Sequence, residues 1–457
     1  MKITVIGAGY VGLTTAACFA QVGHEVFCSE SDSDKLQKLQ SGVMPIYEPQ
    51  LEPIVTSAMA GRKLKFGTTK EGIDYAEVIF ICVGTPPHAN GDADLSAIER
   101  LARDIAKRAK GYRLVVEKST VPVQTGLQLK KHIASHSVNG LQCEVASNPE
   151  FLREGSSIYD LLHPDRIVVG TDSARATEIL REIYAPIIEG RFECPLHSDC
   201  DNRGKVRFLV TDTNSAELIK HASNSFLATK ISFINMVADL CEVVGADVSK
   251  VAEGMGLDPR IGSAFLNPGI GFGGFCFPKD VQAFRRIAEK NGCDFSLLQA
   301  VEDINKRRIA HFIGKLREEL WIINGKRIAL WGLAFKPNTD DVRFAPAIAL
   351  IEQLKKEGAV INAYDPQATH KAREICPDVN YCASLYEAAE KADAILVATE
   401  WDEFREVDWE RVAAVTERRL VLDGRNMFDR STLSSYGFRY VSIGRQSVEA
   451  PEAVFSK

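Results

Sequence analysis

A single cysteine follows a run of glycines in residues 271–280, whose sequence is Gly-Phe-Gly-Gly-Phe-Cys-Phe-Pro-Lys-Asp. Glycine lets the backbone take positive φ angles and approach a ligand closely. Lys279 and the N–H groups of such a turn favour the thiolate of Cys276, which is the form of cysteine that attacks carbon. The segment on its own indicates either a nucleophile or a buried cysteine beside a glycine turn.

Three glycines near the N-terminus carry the second chemical signal. Gly7, Gly9 and Gly12 have the spacing G-x-G-x-x-G, between an apolar run at 3–6 and a small-residue helix predicted over 13–22. This arrangement places a tight turn and a helix N-terminus against a pyrophosphate. The motif therefore predicts a dinucleotide site.

The choice of dinucleotide depends on the end of the next predicted strand, at 25–28. Glu30 follows that strand, and such a carboxylate accepts hydrogen bonds from a ribose 2′-OH and repels a 2′-phosphate. The pattern predicts NAD rather than NADP. Lys35 weakens this exclusion slightly, because its charge attracts a phosphate.

Alternating strands and helices must position these residues in the first half of the chain. Such alternation predicts an α/β fold with a Rossmann-like, doubly wound parallel sheet, and polar loops beyond the strand ends gather the ligands. Strands are predicted at 3–6, 25–28, 78–83, 114–117, 144–147 and 167–170, with helices such as 95–109 and 125–135 between them.

The middle of the chain is predicted to be helical. A helix over 213–245 contains neither glycine nor proline before its last residue, and at ~33 residues it spans about 50 Å. It places Lys220 and Asn224 one turn apart on one face. Further helical stretches are predicted over 248–256 and 280–320.

A second α/β unit is predicted from residue 326 onward. It lacks G-x-G-x-x-G and carries Lys336 after its first strand, which indicates a ligand other than the dinucleotide. Its strands are predicted at 327–331, 360–364, 394–398 and 420–422. We therefore expect three domains: an NAD-binding domain at 1–205, a central helical domain that carries Cys276 at 206–320, and a second Rossmann-like domain at 321–457 that binds a different ligand.

Composition excludes several classes of function. The 457 residues suit two or three domains. A net charge of −6 offers no basic face to nucleic acid or an anionic membrane, and no apolar run reaches the ~18 residues of a membrane span. Eleven cysteines without a framework, and a strand already at residues 1–6 in place of a signal peptide, predict a cytoplasmic protein with reduced thiols.

One further segment, at 191–207, contains metal-ligand residue types. Cys194, His197 and Cys200 have a spacing compatible with zinc, and Asp199 and Asp201 are nearby. A structural zinc site takes four ligands, usually in paired clusters, and no second C-x-x-C or H-x-x-x-H follows. We therefore predict a polar surface loop and no metal.

A series of motifs runs in order from residue 2 to about residue 428. They are Gly-Ala-Gly-Tyr-Val-Gly (7–12), Pro-Ile-Tyr-Glu-Pro (45–49), Val-Gly-Thr-Pro (83–86), Glu-Lys-Ser-Thr-Val-Pro (117–122), Ser-Asn-Pro-Glu-Phe-Leu (147–152), the helix at 217–235, the cysteine segment at 271–280, Phe-Lys-Pro (335–337), Asp-Asp-Val-Arg (340–343) and Asp-Gly-Arg-Asn (423–426). Together they resemble the nucleotide-sugar 6-dehydrogenases of the UDP-glucose/GDP-mannose dehydrogenase family, and most closely its UDP-glucose branch.

The resemblance assigns roles to individual residues. Cys276 is the nucleophile, and Lys220, Asn224, Glu150, Thr120 and Asp280 surround it to handle protons and a water. The implied NAD-binding residues are Gly7, Gly9, Tyr10, Val11, Gly12, Glu30, Lys35, Thr85, Thr120, Glu154, Lys279 and Arg343. The implied substrate-binding residues are Glu150, Phe151, Leu152, Lys220, Asn224, Arg260, Phe265, Leu266, Gly273, Lys336 and Arg425. Arg260 resembles a residue that reaches across a dimer interface, and the long central helix usually forms that interface.

The implied reaction is a four-electron oxidation of UDP-glucose at C6 to UDP-glucuronate, a step of polysaccharide biosynthesis. It uses two NAD per sugar and proceeds through a thiohemiacetal and a thioester on Cys276. One alternative keeps this mechanism on GDP-mannose or a UDP-N-acetylhexosamine. A second is a two-electron hydroxy-acid dehydrogenase without a covalent step, and a third is a non-catalytic NAD-binding protein. The base that takes the first alcohol proton stays undecided.

Several positions depart from the family pattern. Phe275 precedes the cysteine where serine is usual, so its ring either narrows the sugar pocket or points into the core. Gln50 and Gln124 stand where glycine is common, Met236 where an acid is common, and Phe344 where a small or acidic residue is usual.

Overall fold

The computed structural model describes residues 1–138, 140–197, 200 and 206–446. The chain divides into two compact units. The first unit comprises Met1–Ser223 and Arg286–Gly292, and the second comprises Asn224–Arg285 and Cys293–Lys457.

The first unit is built on an eight-stranded sheet, in the order β3-β2-β1-β4-β5-β6-β7-β8. Neighbouring strands are parallel except β6 and β7, which pair antiparallel at Ser147 and Gly170. The strands are β1 (Lys2–Ile6), β2 (Glu25–Ser29), β3 (Leu64–Gly67), β4 (Val78–Ile81), β5 (Tyr112–Glu117), β6 (Gln142–Ser147), β7 (Arg166–Gly170) and β8 (Arg207–Thr211).

Helices cover the sheet of the first unit. They are α1 (Tyr10–Gln21), α2 (Ser33–Gln40), α3 (Leu51–Ala60), α4 (Thr69–Tyr75), α5 (Ser96–Arg108), α6 (Thr125–His136), α7 (Ser157–Leu162) and α8 (Ala174–Ile188). All four residues of β4 are buried, as expected for a parallel strand with helices on both faces. The predicted fold class is confirmed, and the six predicted strands are present; β3 and β8 were not predicted.

The chain then forms four helices: α9 (Thr213–Val244), α10 (Val248–Gly256), α11 (Cys276–Lys290) and α12 (Ser296–Leu320). The predictions for α9 and α10 agree with these bounds. The prediction of one helical stretch over 280–320 was wrong, because Gly292 takes a positive φ of 70° and ends α11. No described helix combines the length and the apolar character needed to cross a membrane.

The second unit contains a six-stranded, fully parallel sheet in the order β11-β10-β9-β12-β13-β14. Its strands are β9 (Arg327–Trp331), β10 (Val360–Tyr364), β11 (Asn380–Tyr381), β12 (Ala394–Val397), β13 (Leu420–Asp423) and β14 (Arg439–Ser442). Its helices are α13 (Pro346–Lys356), α14 (Thr369–Ile375), α15 (Leu385–Ala389), α16 (Asp402–Arg405), α17 (Trp409–Val415) and α18 (Arg430–Ser435). The predicted second α/β unit is therefore present.

The loop after β9 resembles the loop after β1 in backbone conformation. Gly332 has a φ of +90°, and a Cβ there would lie 2.7 Å from the amide nitrogen of Thr399. The N–H groups of Leu333 and Ala334 donate to Asp365 at 2.7 and 3.0 Å. Because that carboxylate already binds these donors, the loop is not a copy of a phosphate cradle.

Candidate active site

The glycine turn after β1 has the geometry that a dinucleotide requires. Gly7 has a φ of +101°, and a Cβ at Gly12 would lie 1.7 Å from the Gly7 carbonyl oxygen, so neither position accepts a side chain. Gly9 precedes α1, and a Cβ there would meet nothing within 4 Å. Tyr10 and Val11 form the first turn of α1. The turn therefore leaves open backbone beside a helix N-terminus, which fits a pyrophosphate.

Glu30 lies directly after β2 and faces this turn. Its Oε2 accepts from the Ala8 N–H at 3.3 Å and pairs with the Lys35 ammonium at 3.0 Å. Burial would raise the pKa of Glu30, but hydrogen bonds from the Asp32 N–H and Lys35 hold it below its usual value. Lys35 is therefore paired with Glu30, the carboxylate that repels a 2′-phosphate. The two side chains are suited to hydrogen bonding with the hydroxyl groups of a ribose.

The loops that follow β4 and β5 lie side by side at the carboxyl ends of these parallel strands. The hydroxyl of Thr85 is buried and donates to the Thr120 carbonyl at 2.8 Å. Lys118, next to this contact, is buried and donates to Asn148 at 3.2 Å and to the Tyr184 hydroxyl at 3.4 Å. Burial lowers the pKa of Lys118. This three-residue network was missed in the sequence, because Tyr184 lies on α8, far along the chain.

A buried ion pair lies after β6. The Lys220 ammonium is 2.9 Å from Oε1 of Glu150, and each side chain is 4% exposed. Oε2 of Glu150 accepts from the Leu152 N–H at 2.8 Å, and the Lys220 nitrogen lies 5.6 Å from the Phe151 ring centroid. A cavity of about 310 Å³ is lined by this loop, and Glu154 is buried just beyond it. Lys220 therefore does not lie on a solvated face of its helix.

Glu217 fixes the loop between β5 and α6, and it was not predicted. Its carboxylate accepts from the N–H groups of Gln124 at 2.6 Å and Gly126 at 2.8 Å. Burial raises the pKa of Glu217 to about 7. Its position one turn before Lys220 on α9 was the available signal, because it places an acid on the face that carries the lysine.

The cysteine segment of the second unit requires its glycines. Gly271 and Gly274 have φ angles of +102° and +77°, and a Cβ at Gly273 would lie 2.4 Å from the Phe344 carbonyl oxygen. Cys276 is partly buried and is the first residue of α11. The N-terminus of a helix favours an anion such as a thiolate. The role of the thiol as the nucleophile stays a prediction.

Two polar side chains, those of Asn224 and Lys279, meet the carboxylate of Asp280 near the start of α11. The Asn224 amide donates to Oδ2 of Asp280 at 2.6 Å, and the Lys279 ammonium lies 2.8 Å from Oδ1 of the same carboxylate. All three residues are buried. Asp280, which lies four residues after the cysteine, therefore orients the amide and the ammonium, and such donors are suited to stabilising a developing negative charge.

Phe275 is held between two cations. Its ring centroid lies 4.3 Å from the Arg343 guanidinium carbon and 5.5 Å from the Lys279 nitrogen. Asp341 in turn holds Arg343, accepting from its Nε at 2.9 Å and from its Nη2 at 2.6 Å. The ring therefore stacks on charged groups beside the cysteine, rather than pointing into an apolar core.

Arg425 braces the loops around the cysteine segment. Its guanidinium donates to the carbonyls of Ala398 at 2.7 Å, Gly271 at 3.1 Å and Phe335 at 3.3 Å. Lys336 follows Phe335, and its ammonium lies 5.6 Å from that ring. Arg425 is thus a positioning residue in this structure, and its contact with a substrate stays a prediction.

The glycine-rich stretch before the cysteine is held by three side chains that the sequence analysis missed. Asn305 accepts from the Phe272 N–H at 2.8 Å and donates to its carbonyl at 2.9 Å. Asn235 accepts from the Gly269 N–H at 2.8 Å, and Arg308 donates to the Gly269 carbonyl at 3.2 Å. The signal available in the sequence was the spacing of Arg308, which lies four residues after Ile304 and four before Phe312, both buried apolar residues of α12.

Three predicted substrate residues lie around this stretch without forming a cluster. Leu266 is buried, and Phe265 has a φ of +64°. The side chain of Arg260 is 87% exposed and pairs with Asp258 at 2.6 Å. Among the described residues of the second unit, the polar partner of Arg260 is Asp258 and not the cysteine loop.

Three of the departures from the family pattern share one backbone feature. Gln50, Gln124 and Phe344 have φ angles of 66°, 78° and 52°, in the left-handed region that favours glycine. Glycine, which is common in the family pattern at the positions of Gln50 and Gln124, adopts this conformation without strain.

Family models match most of the chain. The UDP-glucose/GDP-mannose dehydrogenase family matches with its NAD binding domain at residues 1–188, its central domain at 214–307 and its UDP binding domain at 329–430.

Individual relatives match over nearly the full length. UDP-glucose 6-dehydrogenase TuaD of Bacillus subtilis is 43% identical, covering 99% of this chain and 95% of its own. The structure of a UDP-glucose dehydrogenase from Pyrobaculum islandicum superposes with a TM-score of 0.84 at 36% identity, covering 93% of this chain and 94% of that one. A UDP-D-ManNAc dehydrogenase from Pyrococcus horikoshii superposes with a TM-score of 0.82 at 29% identity, covering 97% and 99%.

Proposed function

Because the chain belongs to the UDP-glucose/GDP-mannose dehydrogenase family and is thus an NAD-dependent dehydrogenase, we propose that it oxidises UDP-glucose at C6 to UDP-glucuronate. The observation that carries the choice of sugar is the 43% identity to the Bacillus subtilis UDP-glucose 6-dehydrogenase over almost the whole chain. The reaction removes four electrons and consumes two NAD per sugar.

The first unit supplies the NAD site. Gly7, Gly9 and Gly12 hold the pyrophosphate, Glu30 holds the ribose, and Thr85 and Thr120 lie on neighbouring loops of the same sheet edge. When bound, NAD accepts the hydride that leaves the sugar carbon, once in each oxidation.

The thiol of Cys276 supplies the covalent step. Its thiolate adds to the carbonyl carbon of the C6 aldehyde, and the oxygen takes up a proton to give a thiohemiacetal. Loss of a hydride and that proton leaves a thioester. A water then attacks the carbonyl carbon, the C–S bond breaks, and the carboxylate, the thiolate and two protons are released. Covalent capture keeps the aldehyde in the enzyme and divides one difficult oxidation into easier steps.

Polar side chains serve the charged stages of this sequence. In the second unit, Asp280 fixes the side chain of Asn224 by a hydrogen bond. The Asn224 amide donates to the oxyanion that forms on the sugar. The family resemblance assigns Lys220 to stabilise the same oxyanion. In the first unit its ammonium is buried and forms a 2.9 Å ion pair with Glu150. Glu150 assists the water that attacks the thioester.

The alternative substrate is a UDP-N-acetylhexosamine, because the Pyrococcus horikoshii relative that acts on UDP-D-ManNAc superposes well. Its identity of 29% is well below the 43% of the Bacillus subtilis relative. Phe275 differs from the serine that is usual before the cysteine, so this position does not favour either sugar. UDP-glucose therefore remains the proposed substrate, with GDP-mannose and UDP-N-acetylhexosamines as the competitors.

Assembly and location complete the proposal. We propose a homodimer through α9, because that helix exposes large apolar side chains. The division into domains at 1–205, 206–320 and 321–457 also stays a proposal. A cytoplasmic location suits a reaction that needs the reduced thiol of Cys276 and a pool of NAD.

The test is a substrate panel with the purified protein and excess NAD. UDP-glucose is expected to give a kcat/KM about a hundredfold or more above those of GDP-mannose and the UDP-N-acetylhexosamines. A higher value for either competitor would retain the family chemistry and replace the sugar.

A further inference from the structure

Four metal-ligand side chains converge in the first unit, outside the residues assigned to the reaction. They are His163, Cys194, His197 and Cys200, and one ligand atom from each lies within 4.8 Å of the others. Three come from one segment with the spacing Cys-x-x-His-x-x-Cys. The fourth, His163, lies 31 residues before Cys194 in sequence.

The distances within this cluster fit a tetrahedral ion. The Nε2 atom of His163 lies 3.3 Å from the Cys194 sulfur and 3.6 Å from the Cys200 sulfur. The Nδ1 atom of His197 lies 3.4 Å from the Cys194 sulfur. Zinc at about 2.3 Å from sulfur and about 2.0 Å from nitrogen, with tetrahedral angles, sets each sulfur–nitrogen edge at about 3.5 Å.

The four ligands do not form a metal-binding motif of known spacing in the sequence. The fold brings them together. His163 is the residue after α7, where its N–H donates to the Tyr159 carbonyl at 2.7 Å, and its side chain is buried. The Tyr159 and Phe192 rings lie 5.0 and 5.9 Å from the His163 ring. These rings pack beside His163, the buried ligand, whereas His197 is exposed.

We propose that His163, Cys194, His197 and Cys200 bind one structural zinc ion. Two thiolates and two imidazoles form a closed Cys₂His₂ set, which is the donor set of structural rather than catalytic zinc. Binding releases one proton from each thiol, and the two thiolates balance the charge of the ion.

The ion connects the end of α7 to the segment before β8, the edge strand of the sheet. The same residue, His163, lines the cavity beside Glu150, together with Tyr159. The proposed role of the zinc is therefore to fix the segment at this edge of the sheet, near the loop that carries Glu150.

The prediction of no metal here counted only three ligands, because His163 is far from the others in sequence. Asp199 and Asp201, also named from the sequence, lie outside the described residues. They are not needed for a complete set, and none of the described cysteines forms a disulfide bond.

The test measures metal in the full-length protein, purified without chelator or added zinc, by inductively coupled plasma mass spectrometry. We expect about one zinc per chain, and far less in Cys194→Ser. Cys143→Ser is the matched control, because Cys143 is also partly buried in the first unit but lies on β6. It is expected to keep the zinc of the wild type.

A second measurement follows metal binding directly, in the wild type and in one further variant. Wild-type protein stripped of metal and loaded with Co²⁺ is expected to show the visible bands of tetrahedral cobalt and a thiolate charge-transfer band. His163→Gln keeps both thiols and is expected to bind zinc more than about tenfold more weakly.

Wild-type protein that contains no zinc and takes up neither Zn²⁺ nor Co²⁺ would overturn the proposal. A disulfide between Cys194 and Cys200 in freshly purified protein, or full zinc content in Cys194→Ser, would do the same.

Discussion

The proposed chemistry depends on one residue, Cys276, and on its thiol group. It begins α11, and the neighbouring Asn224, Lys279 and Asp280 form one hydrogen-bonded group in the second unit. Serine at this position has a hydroxyl that is a much weaker nucleophile than a thiolate.

In Cys276→Ser, formation of UDP-glucuronate is expected to fall by at least about a thousandfold, because the thioester cannot form. Product chromatography together with NADH absorbance measures this. Cys293→Ser, which changes an exposed cysteine of the same unit, is the control and is expected to match the wild type. A Cys276→Ser enzyme that makes the acid at the normal rate would refute covalent catalysis.

Backbone strain at Gln124 gives a prediction about stability. Its φ of 78° costs a residue with a Cβ about 1–2 kcal/mol, whereas glycine loses about 0.5–1 kcal/mol through the entropy of the unfolded chain. Gln124→Gly is therefore expected to raise the free energy of unfolding by about 0.5–1 kcal/mol in urea titrations. Gln128→Gly, inside α6, is the control and is expected to lower it by about 1 kcal/mol. A loss of stability in Gln124→Gly would contradict the strain argument.

The success of prediction at this scale depends on how local each signal is. Gly7, Gly12 and Glu30 were predictable, because a turn and the next strand end determine them. Asn305, which pairs with Phe272, was not, because tertiary folding brings its partner to it. His163 was not predicted as a metal ligand for the same reason.

Among the elements, α9 and α12 are joined by a charged cluster around Glu242. Its carboxylate accepts from His311 at 3.1 Å, Lys315 at 2.8 Å and the Gly444 N–H at 2.7 Å. Burial would raise the pKa of Glu242, but these hydrogen bonds lower it to about 2. The folded pKa thus lies below the unfolded value, so the carboxylate stabilises the fold above about pH 5 and loses this contribution as the pH falls toward 2.

Glu242→Gln is expected to lower the free energy of unfolding by about 2 kcal/mol at pH 7, after allowance for solvent screening. The difference from the wild type should shrink to less than half of this at about pH 3. Urea titrations at both pH values measure it. Glu253→Gln removes an exposed pair with Lys250 and should change little. A deficit that is equal at both pH values would contradict the assigned cause.

Elements with strong local signals were predicted closely. The bounds of α9 agree to within one residue, because no glycine or proline interrupts it. The break between α11 and α12 was missed, although Asn291 and Gly292 mark it, because apolar periodicity continues on both sides. The short strands β3 and β11 have too few residues to show a pattern.

For the whole molecule, the exposed face of α9 bears on assembly. Phe226, Phe233, Leu240 and Val244 are 67%, 46%, 60% and 64% exposed, and their spacing of 7, 7 and 4 residues places them on one face. An apolar stripe of this kind is typical of an interface between copies of a chain.

Leu240→Glu is therefore expected to weaken the dimer, because it places a charge in an apolar contact. Light scattering after size-exclusion chromatography should show the mass falling from about twice the chain mass toward 50.3 kDa. Val138→Glu, at an exposed valine outside α9, is the control. A wild type that is already monomeric would exclude the proposed interface.

The most direct test of the proposed reaction is the number of NADH molecules formed per molecule of limiting UDP-glucose, with excess NAD. The four-electron oxidation predicts about two, with UDP-glucuronate as the product. A value of about one, with an aldehyde or other two-electron product, would contradict the thioester sequence and favour the two-electron alternative.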